Sequence, residues 1–316
     1  MPSFSASAPG KVILFGEHAV VYGEPAVAVP VHSLKARAIV TALVQGRRGE
    51  IQIEAPQIEL VAEVNDLAPD HPIRAAIQAA VLPDGDPTNI PACKIHISSS
   101  IPAASGLGSG AAVSAALIRA LSAFLGQRLS DEGVSDRTFE VEKIHHGTPS
   151  GIDNTVIAHQ KPIYFQKDEP FQFLDIPTPF SILIADSGIP GRTRDAVQMV
   201  RQNWLNDPER YGEIFSSIGQ IARQARDLIL SGTPAKLGPL MDQNHSLLQD
   251  LEVSHPDLDR LVGIARDAGA LGAKLSGGGL GGNIIALVGE DPDPIIEDLS
   301  QAGAKNPLVT EIKIQS

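Results

Sequence analysis

Three stretches of small residues, and the ionisable side chains around them, carry the chemistry that this 316-residue sequence suggests. The first is Ile101–Ala112, IPAASGLGSGAA. It follows the strand-like run Cys93–Ser98 and precedes Val113–Leu125, an apolar-periodic segment with no Pro or Gly. A strand, a glycine-rich turn and a helix make an anion-binding device. The turn offers backbone N–H groups with no side chains in the way, and the helix start adds about half a positive charge. The structural alternative is a tight turn with close helix–sheet packing, which Gly and Ala also serve. The second stretch is Gly147–Asn154, GTPSGIDN, and the third is Lys274–Gly282, KLSGGGLGG. None matches GxxxxGK[ST], and none is an early GxGxxG with an acidic residue about 20 positions later, so neither a P-loop nor a dinucleotide fold is indicated.

Phosphoryl transfer needs few parts: amides and cations on the polyphosphate, a metal ligand, and a group that orients the nucleophile. Asp153, in a small-residue loop, is a candidate general base for a hydroxyl; its alternative role is a helix cap or first-turn residue. Glu142, on the apolar-flanked helix before that loop, is a candidate Mg2+ ligand, or else part of a solvated face. Lys11, after Pro9-Gly10 at a strand start, could sit beside a catalytic carboxylate or guard a sheet edge. Glu17 and His18 interrupt an apolar strand pattern, as residues pointing into a cleft or at a bulge would. Thr193 could bind a substrate or cap the helix after it. His145 and His146 read as flanking a helix end.

The bulk properties narrow the field. Apolar residues make up 43% and charged residues 20%, enough to build a real core in one or two domains. The net charge of −12 argues against nucleic acid and anionic membranes. The single cysteine, Cys93, excludes an intramolecular disulfide and a cysteine-built zinc site, and the nine histidines show no metal-binding spacing. The N-terminal MPSFSASAPGKVILFGEH has no basic region followed by an apolar one, and no apolar run reaches membrane length, so a cytoplasmic location is expected.

The elements that must position these residues begin with β structure over 1–45: runs at Val12–Phe15, Ala19–Tyr22, Ala26–Val29 and Ala36–Val44. Ile51–Glu54 and Ile58–Val61 are short strand candidates. His71–Leu82 has helical spacing and ends at the turn Pro83–Pro87. Ser130 is an N-cap for a helix over 131–146, and Pro162–Gln166 returns to strand. The polar stretch 167–179 is the candidate domain boundary. Beyond it, strand Ser181–Asp186, helices near 193–204, 208–231, 234–250 and 256–268, strand Asn283–Val288, helix 293–302 and strand 308–314 suggest a split βαβ unit.

Together these segments resemble the GHMP small-molecule kinase family. The resemblance rests on APGKVILFGEHAVVYGEPAVAV (Ala8–Val29), PAASGLGSGAA (Pro102–Ala112) and KLSGGGLGGN (Lys274–Asn283). EKIHHGTPSGIDN (Glu142–Asn154) and SGIPGRTRDAV (Ser187–Val197) resemble the branch of that family that acts on mevalonate. The resemblance implies an α+β, two-domain fold. Its N-terminal mixed α/β domain, 1–176, would carry the ATP loop, and its C-terminal domain, 177–316, would be ferredoxin-like, with ATP at the cleft. It implies ATP-dependent phosphorylation of the mevalonate 5-hydroxyl in isoprenoid precursor synthesis, with Mg2+ as cofactor, and a homodimer on that ground alone. Asp153 falls at the catalytic carboxylate, Lys11 at its lysine partner, Glu142 at the Mg2+ ligand, and Glu17, His18 and Thr193 in the substrate shell. The phosphate cradle would comprise Pro102, Ala103, Ala104, Ser105, Gly106, Leu107, Gly108, Ser109, Gly110, Ala111 and Ala112.

Two departures stand out. Gly110 occupies the place of the serine whose hydroxyl the family puts on the metal, leaving Ser109 or water to fill that role. Leu280 replaces a common glycine. The rival readings are a sister kinase acting on phosphomevalonate or a sugar, and a non-catalytic ligand sensor on the same fold. The GTPSGID and His18 segments weigh against the first. The presence of Lys11, Glu142 and Asp153 weighs against the second.

Overall fold

The structure, a computed structural model, describes residues 3–81, 89–103, 105–146 (backbone only at 145 and 146) and 149–313. The expected turn Pro83–Pro87, cradle residue Ala104, loop residues Gly147 and Thr148, and the expected roles of the His145 and His146 side chains lie outside the described residues. The chain divides into two compact units, one of residues 1–11, 32–103 and 108–160, the other of 12–31, 104–107 and 161–316.

Strands β1 (Ser3–Phe15) and β2 (Ala26–Ala42) each run through both units. In the first unit, β3 (Ile51–Ala55) pairs antiparallel with β4 (Leu60–Glu63) and parallel with β5 (Cys93–Ser99), and residues 36–42 of β2 pair antiparallel with β5. Burial alternates along β3 and β5, as period-2 side chains require when one face is covered. Helices α1 (Pro72–Val81), α2 (Ser109–Phe124), α3 (Asp131–His146) and α4 (Ile152–His159) complete the unit. The central helix is α2, which packs on α1, α3 and α4. Ala111, Ala112, Ala115, Ala116 and Ala120 on its buried face leave room for those close neighbours. Ser130 caps α3 as expected, its Oγ accepting from Gly133 N at 3.1 Å.

In the second unit, β6 (Ile163–Phe165) pairs with residues 26–28 of β2 and with the short β7 (Gln172–Phe173). A separate sheet holds β8 (Phe180–Asp186), β9 (Gly272–Ser276), β10 (Asn283–Val288) and β11 (Lys305–Ile312) in the order β11-β8-β10-β9, with every pair antiparallel. This is the ferredoxin-like split βαβ order. Four helices join β8 to β9: α5 (Thr193–Asn206), α6 (Pro208–Leu230), α7 (Leu237–Asp250) and α8 (Pro256–Asp267); α9 (Asp293–Gln301) joins β10 to β11. Asp207 caps α6 from Arg210 N, and Pro208 occupies the first turn, where its missing N–H costs nothing. Ala19, Leu183, Phe215, Leu251, Leu275 and Ile284 lie in the core of this unit.

Several local expectations are corrected. Ala19–Tyr22 is a single-turn 3-10 helix, not a strand, because Tyr22 turns in to stack on Phe215 with ring centroids 4.0 Å apart. The two strands expected at 26–29 and 36–44 are one, Ala26–Ala42, which continues through Pro30. Pro56–Ile58 forms a 3-10 turn, so the next strand starts at Leu60. Strand β9 adds to the expected elements; its five residues, GAKLS, include Lys274 and Ser276 and show no clear apolar run.

Candidate active site

In the first unit, Lys11 leaves β1 and Asp153 occupies the first turn of α4. Their side chains meet with Lys11 Nζ 3.1 Å from Asp153 Oδ1. The lysine is 6% exposed and the aspartate 32%, so the ammonium is held inside while the carboxylate stays reachable. The start of α4 is fixed from two sides. Thr155 Oγ1 donates to Gly151 O at 2.7 Å, and the Asn154 amide bonds Ser135 Oγ of α3 at 2.9 Å. The small-residue loop reaches this pair at Gly108. Its φ is +72°, and a Cβ there would lie 2.8 Å from Ile157 Cδ1 and 3.0 Å from Lys11 Cγ, so a larger residue would push the loop off the lysine stem.

Glu142 of α3 is buried, 6% exposed. Burial first, and then the neighbouring Asp153 charge, raises its pKa to about 7, with Lys11 opposing. A Cβ at Gly110 would sit 3.6 Å from Glu142 Oε1, so this carboxyl overhangs the first turn of α2, next to Ser109. A buried carboxyl that resists ionisation gains when a cation arrives. Mg2+ typically takes one or two protein carboxylates and completes its shell with phosphates and water. Among the described residues no three His, Cys, Asp or Glu side chains gather as a metal cage, and Glu142 fits the sparser arrangement.

In the second unit, Glu17 and His18 follow the end of β1. Lys274 of β9, fully buried, donates to Glu17 Oε1 and to Leu275 O, the latter at 2.7 Å. Burial lowers the Lys274 pKa, and the Glu17 charge opposes that shift. Glu17 Oε2 is buried without a hydrogen-bond partner among the described residues. His18 Nε2 lies 3.0 Å from Gly278 O. A carbonyl only accepts, so the ring carries its proton on Nε2, and burial brings the pKa down to about 4, leaving the imidazole neutral. The His18 backbone, at φ +60° and ψ −51°, lies at the centre of a classic γ-turn, with Ala19 N donating to Glu17 O at 2.7 Å.

Thr193 opens α5, and a Cβ on Gly278 would fall 2.5 Å from its Oγ1, so the two can touch only because residue 278 has no side chain. Ser105–Leu107 of the cradle belong to this unit, where Asn283 donates to Ser105 O. The structure thus brings Lys11, Asp153, Glu142 and Gly110 together in the first unit, and Glu17, His18 and Thr193 around β9 and its glycine loop in the second. Sequence reading missed Lys274 and Ser135 as the residues that hold Glu17 and Asn154. The one local signal is Lys274 itself, a lysine set between Ala273 and Leu275.

One unit of mixed α/β build whose small-residue loop meets a lysine–carboxylate pair, and one built on a ferredoxin-like sheet, are the parts of a small-molecule kinase. Residues 73–161 match the GHMP kinases N terminal domain and residues 198–305 the GHMP kinases C terminal domain. Mevalonate kinases of Thermococcus gammatolerans and Pyrococcus furiosus are each 37% identical to the chain, over 97% of it and 95% of their own length. The crystal structure of L. major mevalonate kinase in complex with R-mevalonate superposes with a TM-score of 0.84 at 28% identity, covering 99% of this chain and 96% of that one. The chain belongs to the GHMP kinase family, on its mevalonate kinase branch. As a kinase it takes ATP as co-substrate.

Proposed function

We propose that this chain transfers the γ-phosphoryl group of ATP to the 5-hydroxyl of mevalonate, giving 5-phosphomevalonate and ADP in isoprenoid precursor synthesis. The observation that carries the reading is the Lys11–Asp153 pair, 3.1 Å apart at the start of α4, in a chain of this family. Asp153 accepts the hydroxyl proton while the 5-oxygen bonds to the γ-phosphorus. The bond from that phosphorus to the β–γ bridging oxygen breaks, ADP leaves, and the proton remains on the carboxyl. Lys11 orients the Asp153 carboxylate through their ion pair and stabilises the negative charge that develops on the attacking oxygen.

Backbone amides of residues 106–111 hold the triphosphate, helped by the start of α2. Mg2+, bound with the nucleotide, would neutralise phosphate charge, and Glu142 with Ser109 would hold it. Glu17, His18 and Thr193 bind the acceptor. Matches to the family's N- and C-terminal domains on either side of residue 176 support a division into 1–176 and 177–316. The proposal includes a cytoplasmic setting, supported by one free buried cysteine and, among the described residues, no helix long and apolar enough to cross a membrane. It also includes a homodimer, which sedimentation tests. The deciding experiment is a coupled ADP-release assay with mevalonate, phosphomevalonate and a set of sugars. ADP release with mevalonate alone is expected; preference for another acceptor overturns the reading.

A further inference from the structure

Leu280 stands in the run Gly277–Gly282 with φ +54°, a backbone conformation that L side chains rarely adopt. A glycine would relax there, so the leucine side chain must be doing something that outweighs the strain. One side-chain contact shows what, and a backbone hydrogen bond lies beside it. The side chain packs on the hydrophobic core of the second unit, and Leu280 N donates to O of Val253, itself a core residue, at 2.8 Å. On its other side the loop is laced to residues 187–192: Gly282 N donates to Ile189 O at 2.8 Å and Ser187 N to Gly282 O at 2.9 Å. The one apolar anchor in a run of glycines is therefore Leu280.

What the anchored loop touches gives the anchor a use. Two residues before Leu280, Gly278 accepts from the His18 ring and lies against Thr193. His18 is itself at a strained γ-turn, and such a turn persists only where its surroundings over-determine it. A five-glycine loop without an anchor would explore many conformations and could not hold that ring in one place. Leu280 removes this freedom at a cost in local backbone strain.

We infer that Leu280 is a positioning residue for acceptor binding: by pinning the Gly277–Gly282 loop to the core, it fixes the Gly278 contacts that hold His18 and Thr193. This rests on the reading of His18 and Thr193 as acceptor-binding residues. The test compares Leu280→Gly, Leu280→Asn and Leu280→Met with wild type. Asn tolerates positive φ but lacks the apolar anchor, while Met keeps the anchor. The Gly and Asn variants should raise KM for mevalonate roughly 5–10-fold, with kcat and KM for ATP within about twofold, and Met should restore wild-type KM. Hydrogen exchange at the 277–282 amides should quicken in Gly and Asn and not in Met.

An unchanged KM for mevalonate in both Gly and Asn overturns the inference, as does a parallel loss in kcat and both KM values that tracks Tm. Should wild type prove inactive on mevalonate, the functional reading falls instead. The exchange data and the 15N signal of the His18 Nε2–H then judge the anchor alone. A signal unaltered in the Gly and Asn variants would remove Leu280 as the anchor of that contact.

Discussion

Lys274 Nζ and Glu17 Oε1 form an ion pair in which neither side chain touches solvent, the lysine 0% and the glutamate 1% exposed. The pair joins β9 to the segment just past β1, two stretches 257 positions apart in sequence. Burying two charges is expensive, and their attraction offsets the cost only while both are present. Lys274→Met should therefore destabilise by about 3–5 kcal/mol, because Glu17 is left as an unpaired buried charge. The double variant Lys274→Met/Glu17→Leu should be more stable than Lys274→Met alone. Urea denaturation of the three proteins checks this, and a double variant that is the weaker of the two would show that the pair is not the source of the loss.

The Lys11–Asp153 pair makes a kinetic prediction. Asp153→Asn keeps the shape of the side chain and one acceptor oxygen for Lys11, but it carries no charge and cannot take a proton. Mevalonate-dependent ADP release should fall by about 10²–10⁴-fold, the range typical of a lost general base, with the circular dichroism spectrum and KM for ATP little changed. Near wild-type turnover would take Asp153 out of the mechanism.

Glu142 ties stability to pH in a direction opposite to that of most carboxylates. Its pKa rises from 4.5 to about 7 in the folded chain, so between those values the folded state binds more protons than the unfolded one. Stability from this group is thus greatest below pH 4.5 and is lost as the pH rises through about 7. The full loss is of order 3 kcal/mol, from a shift of two to three units at about 1.4 kcal/mol each. Glu142→Gln removes the titration. The ligand-free variant should match wild type near pH 4.5 and exceed it increasingly toward pH 8, as measured by denaturant unfolding across that range. A difference independent of pH would mean that Glu142 ionises normally.

How far the sequence discloses this arrangement depends on the range of each interaction. Helix α2 is legible because Ala and Leu recur with helical period over sixteen residues, and α3 because Ser130 announces its start. Asp153 is legible as a candidate because it sits in a small-residue loop, and Glu142 because it lies on the apolar-flanked helix before that loop. The 3-10 turn Ala19–Tyr22 is not: four apolar residues have no period to read, and what bends them is stacking of Tyr22 on Phe215, nearly two hundred positions away. The long β2 is hidden by Pro30, which reads locally as a strand end. Nor could the partnership of Glu17 with Lys274 be read, since nothing local to either residue names the other.

Gly110 offers the sharpest test of how the small-residue loop meets the metal. The family's hydroxyl is missing at this position, and among the described residues none stands in its way. There a Cβ at residue 110 would meet Glu142 Oε1 at 3.6 Å, an ordinary contact distance, and Gly110 is not among the residues with positive φ. Gly110→Ser replaces a glycine inside the first turn of a helix, so the backbone should tolerate the change or gain a few tenths of a kcal/mol. A hydroxyl there would lie beside Glu142 and could share its cation. If Glu142 and the start of α2 form the Mg2+ site, the serine variant should keep wild-type kcat and reach half-maximal activity at a lower Mg2+ concentration. Titrating Mg2+ at saturating ATP and mevalonate reads the shift directly. A large loss of kcat at saturating Mg2+ would mean that this turn meets the phosphates through its backbone alone, in a geometry that the added side chain obstructs.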